Sequence, residues 1–319
     1  MSRPGWTPSV TKANPAGTAG ETLDAALRSA AARLAEAGVP SPRVDAELLA
    51  AHLLGETVGR VRALAFTDAP PPEGFSDLVA ERAARVPLQH ITGKAHFRYL
   101  ELAVGPGVFV PRPETETVAQ LAIDAARRTP SPKVVDLGTG SGAIAAAVAS
   151  EVPDAEVHAV ELSPLAYAWA ERNLAPLGVH LVQGDLRTAL GEHSASFDVV
   201  VSNPPYIPAE AVPNEPEAAE HDPAMALYGG GADGMELPAA AARTAARLLV
   251  PGGYFVMEHA EVQAPAVARL LAADPAWTDV RTHLDLNDRP RATSGIRRTV
   301  TDEPVREEPM ASTRERMLP

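Results

Sequence analysis

The 319-residue chain contains no cysteine. Thiol nucleophiles, disulfides, iron-sulfur clusters and cysteine zinc sites are therefore excluded, and the composition suits a reducing compartment. Positive charge is in deficit, with 28 Lys and Arg against 41 Asp and Glu and a formal net charge of −13. Because affinity for DNA or RNA comes largely from basic groups displacing counterions, direct nucleic-acid binding is not expected. Long apolar runs are missing as well. The longest, such as 143–149, fall far below the roughly 18 to 20 residues of a spanning helix, so no membrane partner is expected. The opening stretch Met1 to Trp6 lacks the apolar core of a signal peptide, which predicts a cytoplasmic protein.

What is present, 45% hydrophobic and 22% charged residues, is the composition of a globular protein long enough for about two domains. Residues 1–19 carry Pro, Gly and Thr with no apolar period and are expected to be a disordered lead-in. Residues 20–92 read as a small helical bundle. Leu23, Leu27, Ala30 and Leu34 recur at helical steps, a second helix opens at Ser41-Pro42 and closes at Gly55, and a third spans about 74–85. Residues 93–113 read as a β-hairpin linker, with Leu100, Leu102 and Val104 alternating before a Gly105-Pro106-Gly107 turn and Val108 to Val110 returning.

Over 114–298 helix and strand patterns alternate. Strands are predicted at 133–137, 156–161, 180–183, 197–202 and 254–258, with helices between them. This predicts an α/β fold built on a doubly wound, mostly parallel sheet. Residues 299–319, mixed in charge, are expected to form a disordered tail.

Two segments carry chemistry. Asp136-Leu137-Gly138-Thr139-Gly140-Ser141-Gly142 lies at a strand-to-helix junction, where glycine lets backbone turn sharply and approach a ligand. It matches neither the dinucleotide fingerprint nor a P-loop. Glu161 ends the next strand, 21 residues after Gly140, where an acid can accept hydrogen bonds from ribose hydroxyls. Asp185 and Leu186, after the third strand, offer a carboxylate for an adenine amino group and an apolar wall for its ring. Glycines that merely tighten a βα turn are the structural alternative.

The second segment, Asn203-Pro204-Pro205-Tyr206, follows the strand 197–202. Two prolines fix the backbone and remove two amide donors, which leaves carbonyls as acceptors. Asn203 adds a side-chain acceptor and Tyr206 a flat ring, a setting for a planar group that bears an NH₂. His90, His96, His221 and His259 show no metal-ligand spacing and are read as surface or capping residues, and no metal is expected. The acidic stretch 210–222 reads as a solvated loop, or as one wall of a substrate groove.

The glycine loop with Glu161 resembles the first two motifs of class I S-adenosylmethionine-dependent methyltransferases, and Asn203 to Tyr206 resembles the motif of those that methylate exocyclic or amide nitrogen. Pro87 to Gly93, Phe97 and Val108 to Glu116 resemble the linker signature of the release factor glutamine methyltransferases, the PrmC/HemK family. Leu227 to Gly230, Asp233-Gly234, Pro251 to Gly253, Glu258 and Gln263 resemble further pieces of it. The chain departs from that pattern at Glu258-His259-Ala260-Glu261, which lacks the usual glycine, and at Pro290-Arg291, where an apolar strand would continue.

The resemblance implies a Rossmann-like methyltransferase that uses S-adenosylmethionine without metal. It implies transfer to the side-chain amide nitrogen (N5) of the glutamine in the Gly-Gly-Gln motif of peptide chain release factors. Asn203, Pro204 and Tyr206 are then expected to be catalytic, with Pro205 also against substrate. Asp136, Gly138, Thr139, Gly140, Ser141, Gly142, Glu161, Asp185, Leu186 and Asn203 are expected to bind cofactor. Arg112 either orders that site or pairs with Glu114 or Glu116. The helical domain is expected to recognise substrate, and the enzyme to act as a monomer. Glutamine methylation of a ribosomal protein, amino methylation of adenine or guanine in nucleic acid, and a non-catalytic binding module are the alternatives.

Overall fold

A computed structural model describes residues 20–213 and 215–299. The expectations for 1–19 and for 300–319 lie outside the described residues. The chain divides into two compact units, one up to Thr92 and one from Gly93 onward.

The first unit is helical: α1 (Leu23–Glu36), α2 (Pro42–Leu54), α3 (Val58–Ala65), α4 (Phe75–Ala83) and α5 (Leu88–Thr92). The Thr22 hydroxyl accepts from Ala25 N and caps α1, while Pro42 opens α2 and Gly55, at φ 64°, closes it. Leu23, Leu27, Leu34, Leu49, Phe75 and Val79 form the core. The short α3, which the sequence pattern does not reveal, buries only Val61 and so shows no apolar stripe. Between α2 and α4, Arg82 Nε donates to Asp45 Oδ2 at 2.8 Å, with both side chains nearly sealed from solvent.

The second unit opens with a hairpin, β1 (Lys94–Phe97) and β2 (Leu100–Ala103), antiparallel with Phe97 opposite Leu100. The turn is therefore Arg98-Tyr99, one strand earlier than predicted. Arg98 holds φ 53° because tertiary partners surround it: its backbone N–H donates to Glu116 Oε1 at 2.9 Å, and its guanidinium bonds Glu151 and Gln120. The glycines at 105 and 107 instead serve packing. A Cβ on Gly105 would stand 2.4 Å from the Trp169 ring.

Then come α6 (Thr115–Ala126), β3 (Lys133–Leu137), α7 (Ala143–Glu151), β4 (Glu156–Glu161), α8 (Pro164–Leu174), β5 (His180–Gln183), β6 (Phe197–Ser202), α9 (Pro216–His221), α10 (Ala224–Leu227), α11 (Glu236–Leu248), β7 (Leu249–Glu258), α12 (Ala264–Ala273), β8 (Trp277–Leu284) and β9 (Pro290–Arg297). The seven-stranded sheet has the order β5-β4-β3-β6-β7-β9-β8. Its first five strands pair in parallel, whereas β9 runs antiparallel to β7 and to β8.

Successive residues of β3 and β6 face opposite layers. Val134 and Val199 pack under α6 and α7, and Val135 and Val200 pack under α11 and α12. Burial on both faces explains why these strands carry consecutive rather than alternating apolar residues, Val134-Val135 and Val199 to Val201. The apolar pattern marks strands only as far as 258, β8 lies beyond it, and β9 forms at Pro290–Arg297 despite the departure from the family pattern there. Of the buried residues 292–295 at the heart of β9, the central Thr293 and Ser294 are polar and are satisfied by the rings of His259 and His283, so no apolar run marks the strand. Strand order reverses between β3 and β6, and an open α/β sheet binds ligands at the carboxyl ends of the strands flanking such a reversal.

Candidate active site

From the end of β3 the backbone turns through Gly138 (φ 77°), Gly140 (φ 58°) and Gly142 (φ 87°). The amides of Gly138 and Thr139 both donate to the Val160 carbonyl at 2.9 Å, which ties the loop to β4. Gly142 has a different task from the other two. A Cβ there would lie 2.8 Å from Leu174 Cγ, so it serves the packing of α7 on α8 and does not line the cavity. Asp136, sealed at the strand end, accepts the Thr139 hydroxyl at 2.6 Å and the Ala145 amide at 3.3 Å on Oδ2. Its Oδ1 is buried without a partner. Burial pushes this carboxyl up to about 7.

Glu161, at the end of β4, is buried and accepts the Gly140 amide on Oε2 and the Ser163 amide on Oε1, both at 2.8 Å. Burial raises its carboxyl above the ordinary range, against the backbone bonds from Ser163, Gly140 and Leu162. Each oxygen still has a lone pair for a hydroxyl donor. Asp185 lies beside the same space, but Arg187 Nε grips its two oxygens at 3.0 and 2.9 Å and holds the carboxyl below its usual range. The free carboxylate expected there is thus an ion pair. Leu186 is buried and sits against the Gly138 backbone.

The turn after β6 is anchored at Ser202, whose hydroxyl donates to the Leu137 carbonyl at 2.6 Å and joins the two signature segments. Asn203 Nδ2 donates to Thr115 Oγ1 at 3.3 Å. The Tyr206 hydroxyl donates to Glu258 Oε1 at 3.3 Å, and burial beside that carboxylate raises the phenol. Burial pushes Glu258 itself up to about 7. Gln263 Nε2 bonds the Tyr206 and Asp233 carbonyls at 2.8 and 2.9 Å. Gly234 presses so close that a Cβ would stand 2.2 Å from the Tyr206 carbonyl oxygen. The sequence motifs assign Glu258 and Gln263 no place in the site and do not single out Thr115, whose only signal is its position within the linker signature.

Arg112 pairs with neither Glu114 nor Glu116. Its guanidinium bonds Glu215 Oε2 at 3.0 Å and the fully enclosed Asp222 Oδ2 at 3.1 Å, with its carbon 5.3 Å from the Phe109 ring centre. Burial outweighs the arginine and pushes Asp222 up to about 6. The segment 215–222 is thereby clamped at both ends onto the linker rather than loose in solvent. His259, expected to be a surface or capping residue, is fully buried and bonded to Thr293.

Asp136, Gly138, Thr139, Gly140, Ser141 and Glu161 share one cavity of about 650 Å³ with Asp185, Leu186, Asn203, Pro204, Pro205, Tyr206 and Arg112. Val212, Met225 and Val262 give it an exposed apolar rim.

A glycine cradle and a proline-locked turn opening into one cavity at the sheet's switch point define the Rossmann-like methyltransferase class. A family model described as the methyltransferase small domain matches residues 99–216, and one described as the PrmC N-terminal domain matches residues 25–93. A release factor glutamine methyltransferase of Streptomyces coelicolor (strain ATCC BAA-471 / A3(2) / M145) is 53% identical over 272 residues, 84% of this chain and 96% of that one. Another, from Mycolicibacterium smegmatis (strain ATCC 700084 / mc(2)155), is 46% identical over 86% of this chain and 98% of its own. A 4-amino-L-phenylalanine/4-methylamino-L-phenylalanine methyltransferase of Streptomyces pristinaespiralis is 40% identical over 85% and 94%. The chain belongs to the release factor glutamine methyltransferase family, and a methyltransferase of this family implies S-adenosylmethionine as methyl donor. Among the described residues no helix is long and apolar enough to cross a membrane.

Proposed function

We propose that the chain methylates the side-chain amide nitrogen (N5) of the glutamine in the Gly-Gly-Gln motif of peptide chain release factors. The observation that carries this reading is the Asn203 amide, whose nitrogen is engaged by Thr115 while its side chain lines the cavity. Its Oδ1 is then the end offered to an acceptor NH₂. An amide nitrogen is a weak nucleophile because its lone pair is delocalised into the carbonyl, so geometry matters more than a strong base. Asn203 Oδ1 and the Pro204 carbonyl accept the two amide hydrogens, turn the nitrogen lone pair toward the donor and stabilise the positive charge that grows on nitrogen. Pro205 and the Tyr206 ring, held from behind by Glu258, pack the flat amide face. The departing proton passes to water.

The residues fit the donor. The orphaned Asp136 Oδ1 awaits a cationic partner such as an ammonium, Gly138 and Gly140 leave room for the methionine part, and Thr139 and Ser141 line it. Glu161 has lone pairs for ribose, Leu186 offers an adenine wall, and Asp185 can reach the adenine amino group by sharing with Arg187. Bound S-adenosylmethionine supplies an electrophilic methyl group, and no metal is required for that chemistry. Arg112 contributes by fixing the wall at 215–222.

The exposed apolar rim of Val212, Met225 and Val262 suits a protein loop. The helical unit supplies further recognition of the release factor, and the enzyme acts as a cytoplasmic monomer. The test offers labelled donor with release factor, ribosomal protein, 4-amino-L-phenylalanine and DNA together, followed by mass spectrometry. Label on the release-factor glutamine is expected, whereas label only on another acceptor overturns the reading. Asn203→Ala is expected to lose transfer by orders of magnitude while calorimetry still detects cofactor binding. Equal loss of both would refute the role of Asn203.

A further inference from the structure

At the opposite ends of the same strands lies a group of imidazoles that methyl transfer does not use. Glu156 and His158 stand two residues apart on β4 and so share one face of the sheet. His180 opens β5 and pairs with His158 in register. One ligand atom from each of Glu156, His158 and His180 lies within 4.8 Å of the others. The His158 and His180 rings are 4.7 Å apart, and the His193 ring lies 5.6 Å from that of His158. None of these four lines the methyl-transfer cavity.

We propose that Glu156, His158 and His180 bind a divalent ion of the zinc type at the edge of the sheet, with His193 or water as the fourth ligand. Two imidazoles and a carboxylate are a donor set that first-row ions such as zinc accept and that magnesium does not favour. With metal–ligand bonds of about 2.1 Å in a tetrahedron, ligand atoms must come to about 3.4 Å from one another. The required closure is short. Glu156, at the start of β4, and His180, on the outer strand β5, are exposed side chains and can rotate inward, whereas His158 is held in place by packing edge-on against Phe197 at 5.1 Å.

Without an ion, His158 Nε2 bonds Glu156 Oε1 at 2.9 Å, and Lys133 Nζ sits 3.0 Å from Glu156 Oε2. An ion takes the place of the first contact and competes with the second. The two histidines come from separate strands, 22 residues apart in sequence, so no motif spacing signals the site.

The test uses the full chain without a histidine tag, stripped by a chelator and titrated with Zn²⁺ by calorimetry, and against a chromogenic chelator. One ion per chain at micromolar or tighter affinity is expected, with Mg²⁺ giving no comparable binding. His180→Ala and Glu156→Gln alter exposed side chains, and each is expected to weaken Zn²⁺ by at least about tenfold, since even outer-shell losses reach that size. Methyl transfer and melting temperature without metal should stay at the wild-type level in both. No stoichiometric binding, full affinity retained in both variants, or equal affinity for Mg²⁺ would each overturn the proposal.

Discussion

Asn203 and Thr115, 88 residues apart in sequence, meet through a 3.3 Å hydrogen bond in which the amide donates to the hydroxyl. The carboxamide is nearly symmetric in shape, so only such a partner distinguishes its oxygen end from its nitrogen end. Thr115 is buried in the first turn of α6, beside Glu258. Placing the hydroxyl there gives the turn after β6 a fixed donor and acceptor polarity before substrate arrives.

Thr115→Val keeps the shape and removes the acceptor. With nothing to hold Nδ2, the Asn203 amide can turn and present donors to an acceptor NH₂. We expect the single-turnover rate to fall by about tenfold or more, equivalent to ~1.4 kcal/mol of lost transition-state stabilisation. Cofactor affinity, read by calorimetry, should change little. Thr115→Ser should restore most of the rate, which separates loss of the hydroxyl from loss of packing. An unaltered rate in the valine variant would show that the amide is oriented by other means.

Gly234→Ala tests the brace behind the same turn. Its Cβ would meet the Tyr206 carbonyl oxygen at 2.2 Å, at a φ of 73° that disfavours side chains. Since that carbonyl also accepts from Gln263, displacing it shifts the acceptor turn. Overpacking of this kind costs about 1 to 3 kcal/mol, and transfer should fall further than stability explains. Gly252→Ala is the control: φ is 84°, yet nothing lies within 4 Å of the added atom. It should lose some stability and keep its rate. Equal effects of the two on transfer would exclude the brace.

What could be read in advance followed from how local each cause is. Strands β3, β4 and β6 show as apolar runs because helices cover both faces, and the glycine loop and Asn203 to Tyr206 declare themselves by backbone demands that only glycine and proline meet. The hairpin turn did not, since Arg98 adopts its left-handed conformation under pressure from Glu116, Gln120 and Glu151, all distant in sequence. Nor did the ion pairs of Arg112, whose partners lie 103 and 110 residues away. Strand β9 hides its burial behind hydroxyls that two histidines satisfy.

In the helical unit, Arg82→Ala would leave Asp45 as an unpaired buried carboxylate. Breaking such a pair from one side costs about 3 to 5 kcal/mol, whereas replacing both partners by apolar residues of similar volume is near neutral. Denaturant unfolding should therefore show a large loss for Arg82→Ala and recovery in the Arg82→Met, Asp45→Leu double variant. A loss under about 1 kcal/mol for the single change would indicate an exposed pair of the ordinary surface kind.

Glu258 makes stability depend on pH in a direction opposite to most carboxylates. Burial pushes its folded-state pKa up to about 7, from an ordinary value of 4.5. Below about pH 4.5 the group is protonated in both states and contributes nothing. Between those values the folded chain holds a proton that the unfolded chain has released, so stability falls as pH rises. Above about 7 both states are ionised and the full penalty persists. Glu258→Gln carries no charge at any pH and escapes this loss. The melting temperature of the variant relative to wild type should therefore climb from pH 5 to pH 8. Asp136, pushed to about 7 by the same cause, is common to both proteins and cancels in the difference. A difference that stays level or shrinks over that range would mean that Glu258 is ionised in the folded protein. Tyr206 would then donate to a full negative charge, and the acceptor turn would be held by a charged anchor rather than a neutral acid.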